Sequence, residues 1–290
     1  SILGGRHRHS TERYLREQAL EIDFGGRQRS YDLVFTCTDL IVQKNIRSSR
    51  LILVQEGITD PENLLYWMVR YLKFPRYLAN TASTGLSNAY DIFCVASPGY
   101  RDLFMRKGVL REKIAITGIP NFDNVDMYRD NPFPYRGYVL VTTTSLRETL
   151  KPDDRIGFLR KARQLARDKQ ILVKLHPNEK FNRAEREIRM IMPDALVCRD
   201  GETAHMVANC DMLVTQHYTV ALIGAALNKP VITDLDPEVL RGLAPLQNGG
   251  TSSRRIAYLG KQLLQMSIPE LRSFRGRNTI RSKVRLLDAA

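Results

Sequence analysis

The stretch Cys210 to Asp234, CDMLVTQHYTVALIGAALNKPVITD, does most to limit what this chain can fold into. Met212, Leu213 and Val214 read as a short apolar strand, which breaks into the polar turn Thr215-Gln216-His217-Tyr218-Thr219. A helix of small residues, Val220 to Leu227, follows and is stopped by Asn228-Lys229-Pro230, after which Val231-Ile232-Thr233 reads as the next strand. Strand, loop, helix, strand is the repeating unit of a parallel α/β sheet. The loop lies where a strand's carboxyl end meets a helix's amino end. Free N–H groups and the positive end of the helix dipole make that place favourable for anions. The hydroxyls of Thr215, Tyr218 and Thr219 add donors, so the loop is expected to form half of a phosphate-binding site.

The same unit recurs along the chain. Asp32 to Thr36, Arg50 to Gln55, Asp91 to Ala96 and Lys113 to Thr117 read as strands of one set, and Tyr138 to Val141, Gln170 to Leu175 and Ala195 to Cys198 as strands of another. Ser97-Pro98 caps a helix over Gly99 to Arg106, which Gly108 ends. A helix opened by Pro61 carries Leu64, Leu65, Trp67, Met68 and Leu72 at helical spacing, and these side chains are expected in the core. An early helix is expected around Tyr14 and Leu15, running to Gly25-Gly26, and a last one after Gly249-Gly250-Thr251-Ser252. Residues 124–137, rich in Asp, Asn, Pro and Tyr, place the domain boundary, giving an amino-terminal unit 1–130 and a carboxyl-terminal unit 131–290. The expected fold is α/β, with two doubly wound parallel-sheet domains facing a cleft. Residues 1–30 hold no apolar strand with a glycine turn, so the amino-terminal domain is expected to be short, its true amino terminus lost.

Composition narrows the partners. Lys and Arg number 44 against 31 Asp and Glu, a net charge of +13 that suits anionic ligands. No nucleic-acid motif accompanies the charge, so no nucleic-acid partner is expected. The cations of the tail, from Arg272 to Arg285, read equally as a solvated helix face or as a patch for an acidic membrane surface. The four cysteines are scattered and read as free thiols of a reducing cytosol, and the five histidines lack partners at ligand spacing, so no metal is expected. No run reaches the length of a membrane-spanning helix and no signal peptide is visible.

The candidate chemistry sits at strand ends. Thr142-Thr143-Thr144-Ser145, His176 in His-Pro-Asn, and Thr215 to Thr219 are three polar strand-end loops, and ligands of open parallel sheets bind along that edge. Lys174, two residues before His176, points to the same face, and a protonated His176 would help neutralise a diphosphate. Either residue alone reads as a structural strand end; the three loops together favour ligand binding. On the amino-terminal side Glu56, after a buried strand and before Gly57, reads as a general base or as a loop-stabilising carboxylate. Asn121 and Asp123 are weaker cleft candidates for which a plain turn is the simpler reading.

The stretches DIFCVASPGYRDLFMRKGVLREKIAITGIPNFDN, VKLHPNE, CDMLVTQHYTVALIGAALNKPVI and QNGGTSSRRIA resemble those of GT-B fold proteins over roughly residues 30 to 265. The group includes the UDP-N-acetylglucosamine 2-epimerases, the CDP-glycerol glycerophosphotransferase-like enzymes and bacterial capsule and lipid glycosyltransferases. The resemblance implies that His176-Pro177 is the family's His-Pro strand end and Tyr218-Thr219 its phosphate-binding pair. It also implies that Glu56-Gly57 is the acidic-Gly motif that supplies the base in some transferases. Ile223 stands where many members carry a ribose-binding glutamate, and the epimerases' acidic set and glycine-rich loop are not reproduced. The expected function is a glycosyltransferase that needs neither metal nor cofactor. It would take a nucleotide-sugar donor and a cell-envelope glycan or lipid-linked acceptor, in the cytoplasm at the inner membrane, with homo-oligomerisation open. The alternatives are a sugar-nucleotide 2-epimerase, a CDP-polyol phosphotransferase and a nonenzymatic nucleotide-sugar binding module.

Overall fold

The computed structural model describes residues 5–60, 62–149, 152–216 and 218–275. The chain builds two all-parallel sheets. The first has four strands in the order β1 (Leu33–Thr36), β2 (Arg50–Val54), β3 (Ile92–Val95) and β4 (Ile114–Ile116). The second has five: β5 (Val139–Thr142), β6 (Ile171–Lys174), β7 (Leu196–Cys198), β8 (Met212–Thr215) and β9 (Val231–Ile232), in the order β7-β6-β5-β8-β9. These are the strands expected from the apolar runs. Buried on both faces, β3, β5 and β6 carry the continuous hydrophobic stretches that a covered parallel sheet requires.

Helix α1 (Gly5–Glu17) ends well before Gly25-Gly26, because Ala19 turns the chain into the left-handed region at φ 53°. Helix α2 (Leu64–Leu72) starts from the Asn63 cap, whose side chain accepts from the Tyr66 N–H. Its core face is Tyr66 and Val69, packed on Ala79 and Ala82 of the short 3-10 helix Arg76–Ser83. Leu64, Leu65, Trp67 and Leu72, expected in the core, are exposed, since the short 3-10 helix and Lys107 cover only the face of Tyr66 and Val69. Helix α3 (Pro98–Lys107) has the predicted Ser97 cap, with Gly108 closing it at φ 98°.

In the second sheet, α4 (Arg155–Ala166) and α5 (Phe181–Ile191) pack together, as do α6 (Thr203–Asn209) and α7 (Tyr218–Ala226). Helix α7 is apolar all round because two cores share it. Ala221 and Leu222 join Tyr100 and Phe104 beneath the first sheet, whereas Ile223 and Leu227 join Leu140 and Leu213 of the second. Helix α8 (Pro237–Leu243) crosses α3 so closely that a Cβ on Gly99 would lie 2.0 Å from the Gly242 carbonyl oxygen. Helix α9 (Ser252–Gln265), expected with the carboxyl-terminal half, instead covers the first sheet: Ile256, Leu259 and Leu263 pack on Ile52, Ile92 and Cys94. Arg50 anchors its end through Nε to the Leu263 carbonyl at 2.7 Å. Helix α10 (Ile268–Arg275) completes the described chain and adds Leu271 to the same cluster.

Candidate functional site

The second sheet begins in its middle. From β5 the chain steps outward to β6 and β7, then returns to the other side of β5 for β8 and β9. The reversal lies between β5 and β8, whose connections leave toward opposite faces and open a crevice at the strands' carboxyl ends. Register brings the three predicted loops to one rim, because Lys174 pairs Thr142 and Thr142 pairs Thr215. At ordinary strand spacing the outer two stand about 10 Å apart.

The rim residues divide by what they bond. Thr142 Oγ1 donates to Thr215 Oγ1 across the switch point, tying β5 to β8. Lys174 Nζ donates to the carbonyls of Leu175 and Arg199, at 3.2 and 2.7 Å, and burial lowers its pKa. Thr143 Oγ1 donates to Glu179 Oε2, which also accepts the His176 N–H at 2.8 Å. Glu179 thus occupies the anion position between β5 and β6. This corrects the expectation for Lys174 and Thr143: both hold the rim together with bonds made inside the protein.

Glu179 belongs to a buried ionic cluster that the sequence reading missed. Arg155, at the start of α4 and 3% exposed, donates to Glu179 Oε1 at 2.7 Å, to the Thr144 carbonyl at 2.7 Å and to Asp153 Oδ2 at 3.2 Å. Arg147 makes a two-pronged pair with Glu187 of α5, both contacts at 2.8 Å. Arg183 adds a pair to Glu148. The loop after β5 is therefore stitched to α4 and α5. The signal in the sequence is the density of opposite charges at Arg147, Glu148, Asp153 and Arg155 beside Glu179.

The groups that flank the crevice are Thr144, Ser145, His176, Gln216, Tyr218 and Thr219. Among the described residues, Thr144 Oγ1 and Gln216 Oε1 are buried with no hydrogen-bond partner, one on each side of the switch point. Buried polar atoms are rarely left so. His176 Nδ1 accepts the Asn178 N–H at 3.1 Å, which leaves the ring proton on Nε2. Burial lowers the His176 pKa against the opposing pull of Glu179. Ser145 and Thr219 are half-buried at the rim. His217 lies outside the described residues. A cavity of about 330 Å³ opens beside Gln216 on the α4 side, lined by Asp154, Phe158, Lys161, Thr215 and Thr233. A larger one, about 870 Å³, runs along the free edge of β1 among residues 21–46, away from the switch point.

Glu56 leaves the carboxyl end of β2, exposed. The residues beside it are fixed. Gln55, 3% exposed, donates to the Gly57 carbonyl at 2.8 Å and accepts the Ala96 N–H at 2.9 Å. Asp60 accepts from Asn80 Nδ2 at 2.9 Å and Thr81 Oγ1 at 2.8 Å. Burial and then the Glu56 charge raise the Cys37 thiol. Tyr218 titrates above its ordinary range through burial, then Asp234, then Asp60. Ile58 of the loop after β2 packs against the apolar cluster that holds Ala221 and Leu222 of α7, which brings this loop near that helix. Asn121 is exposed in a turn, and Asp123 is buried, its Oδ2 accepting the Ser252 N–H at 2.8 Å. Asp123 serves α9 and is not a cleft residue. Among the described residues no cluster of His, Cys, Asp and Glu is arranged to hold a metal.

The two parallel sheets and their helices align with solved structures across most of their length. A Listeria monocytogenes protein assigned as a UDP-N-acetylglucosamine 2-epimerase aligns with TM-score 0.56 at 14% identity, over 91% of this chain and 80% of that one. The fold is that of the UDP-N-acetylglucosamine 2-epimerases. The S. aureus MnaA–UDP complex aligns with TM-score 0.55 at 13% identity, over 89% and 78% of the two chains. The Neisseria meningitidis UDP-GlcNAc 2-epimerase bound to UDP-GlcNAc aligns with TM-score 0.52 at 10% identity, over 88% and 80%. No protein-family model and no curated protein sequence matches the chain. The expected GT-B architecture, two Rossmann-like α/β units, is the one observed.

Proposed function

We propose that the chain is a nucleotide-sugar enzyme that transfers the sugar to an acceptor hydroxyl. The observation that carries the reading is the pair of orphaned buried atoms, Thr144 Oγ1 and Gln216 Oε1, flanking the switch-point crevice, with the loop after Glu56 packed near α7 through Ile58. A donor's phosphates fit against Thr144, Gln216 and the amino end of α7 at Tyr218 and Thr219, where the helix dipole favours anions, with Ser145 and His176 on the same rim. These groups stabilise charge on the departing diphosphate without a metal. Glu56 takes the acceptor proton as general base. The neighbours bound to UDP and UDP-GlcNAc support the nucleotide-sugar class. The acceptor class in this reading is a glycan or a lipid-linked glycan.

A screen of UDP-, CMP-, CDP- and GDP-sugars by thermal unfolding tests the donor. Ligand at a hundredfold excess over Kd adds about 2.7 kcal/mol, a rise of several degrees in Tm. No stabilisation by any member overturns the donor assignment. Incubation with UDP-GlcNAc alone tests the reaction: interconversion to its C2 epimer without an acceptor replaces transfer by epimerisation.

A further inference from the structure

The outer face of α2 exposes a dense set of large apolar side chains. Leu64 is 75% exposed, Tyr71 73% and Leu72 66%, with Leu65, Trp67 and Phe74 each above 40%. Tyr77 and Leu78 of the following 3-10 helix continue the patch at 55% and 45%. Scattered apolar side chains on a surface need no explanation, but a contiguous set this dense marks an interaction site. The opposite face of α2 is used up by Tyr66 and Val69, so the helix cannot rotate to hide it. Trp67 and Tyr71 stack at 5.7 Å and 11°, one turn apart, and form a rigid aromatic plate.

Within the segment that carries the plate the charge has one sign, with the acids Asp60 and Glu62 at its margin. From Asn63 to Tyr90 there is no Asp or Glu, while Arg70, Lys73 and Arg76 are present. Arg70 lies against Gly108 at the end of α3, next to Arg106, and Lys73 is exposed at the left-handed cap of α2. A second copy of the chain docking here about a two-fold axis would set these cations against their own images, with acids only at the margin of the segment to pair them. An anionic lipid surface meets both requirements. Trp, Tyr and Leu enter the headgroup–acyl boundary, and Arg and Lys stay with the phosphates. At nine residues α2 is far too short to span a bilayer, so the contact is interfacial.

We propose that α2 and the adjoining 3-10 helix dock the first domain on an anionic membrane. The site is independent of the donor crevice. It is continuous with the Glu56 loop, because Asp60 is bonded to Asn80 and Thr81 of that same 3-10 helix. A docked enzyme would present Glu56 near a headgroup-borne acceptor.

Trp67 is the sole tryptophan of the chain and reports the contact directly. Full-length protein is mixed with vesicles of phosphatidylcholine alone or with phosphatidylglycerol added, and Trp emission and flotation are followed. The expected result is a blue shift and flotation only with the anionic vesicles, with quenching when the acyl chains are brominated. Y71S/L72S, which removes exposed side chains only, and K73E should each weaken vesicle affinity, the former by about tenfold or more. The proposal is overturned by emission unmoved at saturating anionic lipid, by Y71S/L72S binding as tightly as the parent, or by a blue shift that follows protein concentration without lipid, which would mark a second copy instead. None of these readouts requires turnover, so they stand or fall apart from the donor assignment.

Discussion

Glu56→Gln should lower turnover by about 10²–10⁴-fold while donor affinity stays within a factor of two of the parent, the span expected for loss of a positioned general base. The substitution keeps the shape of the side chain and removes only its capacity to take a proton. The surrounding geometry isolates that effect. Gln55 holds the corner through Gly57 and Ala96, and Asp60 is held by Asn80 and Thr81, so neither anchor depends on the Glu56 carboxylate. The donor-side groups belong to the second sheet, and Glu56 belongs to the first. Steady-state kinetics together with nucleotide-sugar titration separate the two quantities. Unchanged kcat removes Glu56 from the chemistry; lost donor affinity with kcat intact moves it to substrate binding.

Arg155→Met should cost about 3–5 kcal/mol of folding stability, the range for breaking a buried ion pair from one side. Its partners make the case. The side chains of Asp153 and Glu179 are 0% and 1% exposed, so neither carboxylate can turn to water when the guanidinium is gone. Arg147 Nε, 3.4 Å from Asp153, partly compensates one of them, but Glu179 loses its only cation among the described contacts. Adding Glu179→Gln should recover part of the loss, since the uncompensated charge then disappears. Urea unfolding monitored by circular dichroism checks both. A loss below about 1 kcal/mol would show that the cluster behaves as a surface pair. The cost falls on the loop after β5, which supplies Thr144 and Ser145, so the same variant should also weaken donor binding.

The contrast between these two sites shows what the sequence made legible. Strands such as Val139–Thr142, Ile171–Lys174 and Met212–Thr215 were readable because a covered parallel strand is apolar on both faces and stops at a polar residue. The convergence of the three rims was readable too, because parallel topology alone places every strand's carboxyl end on one edge. The partners of individual side chains were not. Thr143 and Lys174 have the chemistry of phosphate donors, yet Glu179 and the Arg199 carbonyl accept their hydrogen bonds, and those contacts come from register and loop path.

Helical spacing misled at α2 for a related reason. Leu64, Leu65, Trp67 and Leu72 repeat as a core stripe would, but periodicity does not say whether a neighbour exists to cover it. Gly99 gave no warning of the α3–α8 crossing, since a close backbone approach leaves only an unremarkable glycine in the sequence. Helix α9 is amphipathic as expected, and nothing in its own residues states which of two sheets it covers.

The central claim is that a nucleotide sugar is held at the β5/β8 switch point. Backbone-amide exchange read by mass spectrometry, with and without a saturating amount of whichever UDP-, CMP-, CDP- or GDP-sugar most raises the unfolding temperature, tests it most directly. The expected result is slowed exchange in peptides covering residues 143–149, 176–179 and 215–221, with peptides of α9 unchanged. Saturated binding with protection confined to other segments, such as the β1 edge, or the failure of every nucleotide sugar to bind, would contradict it.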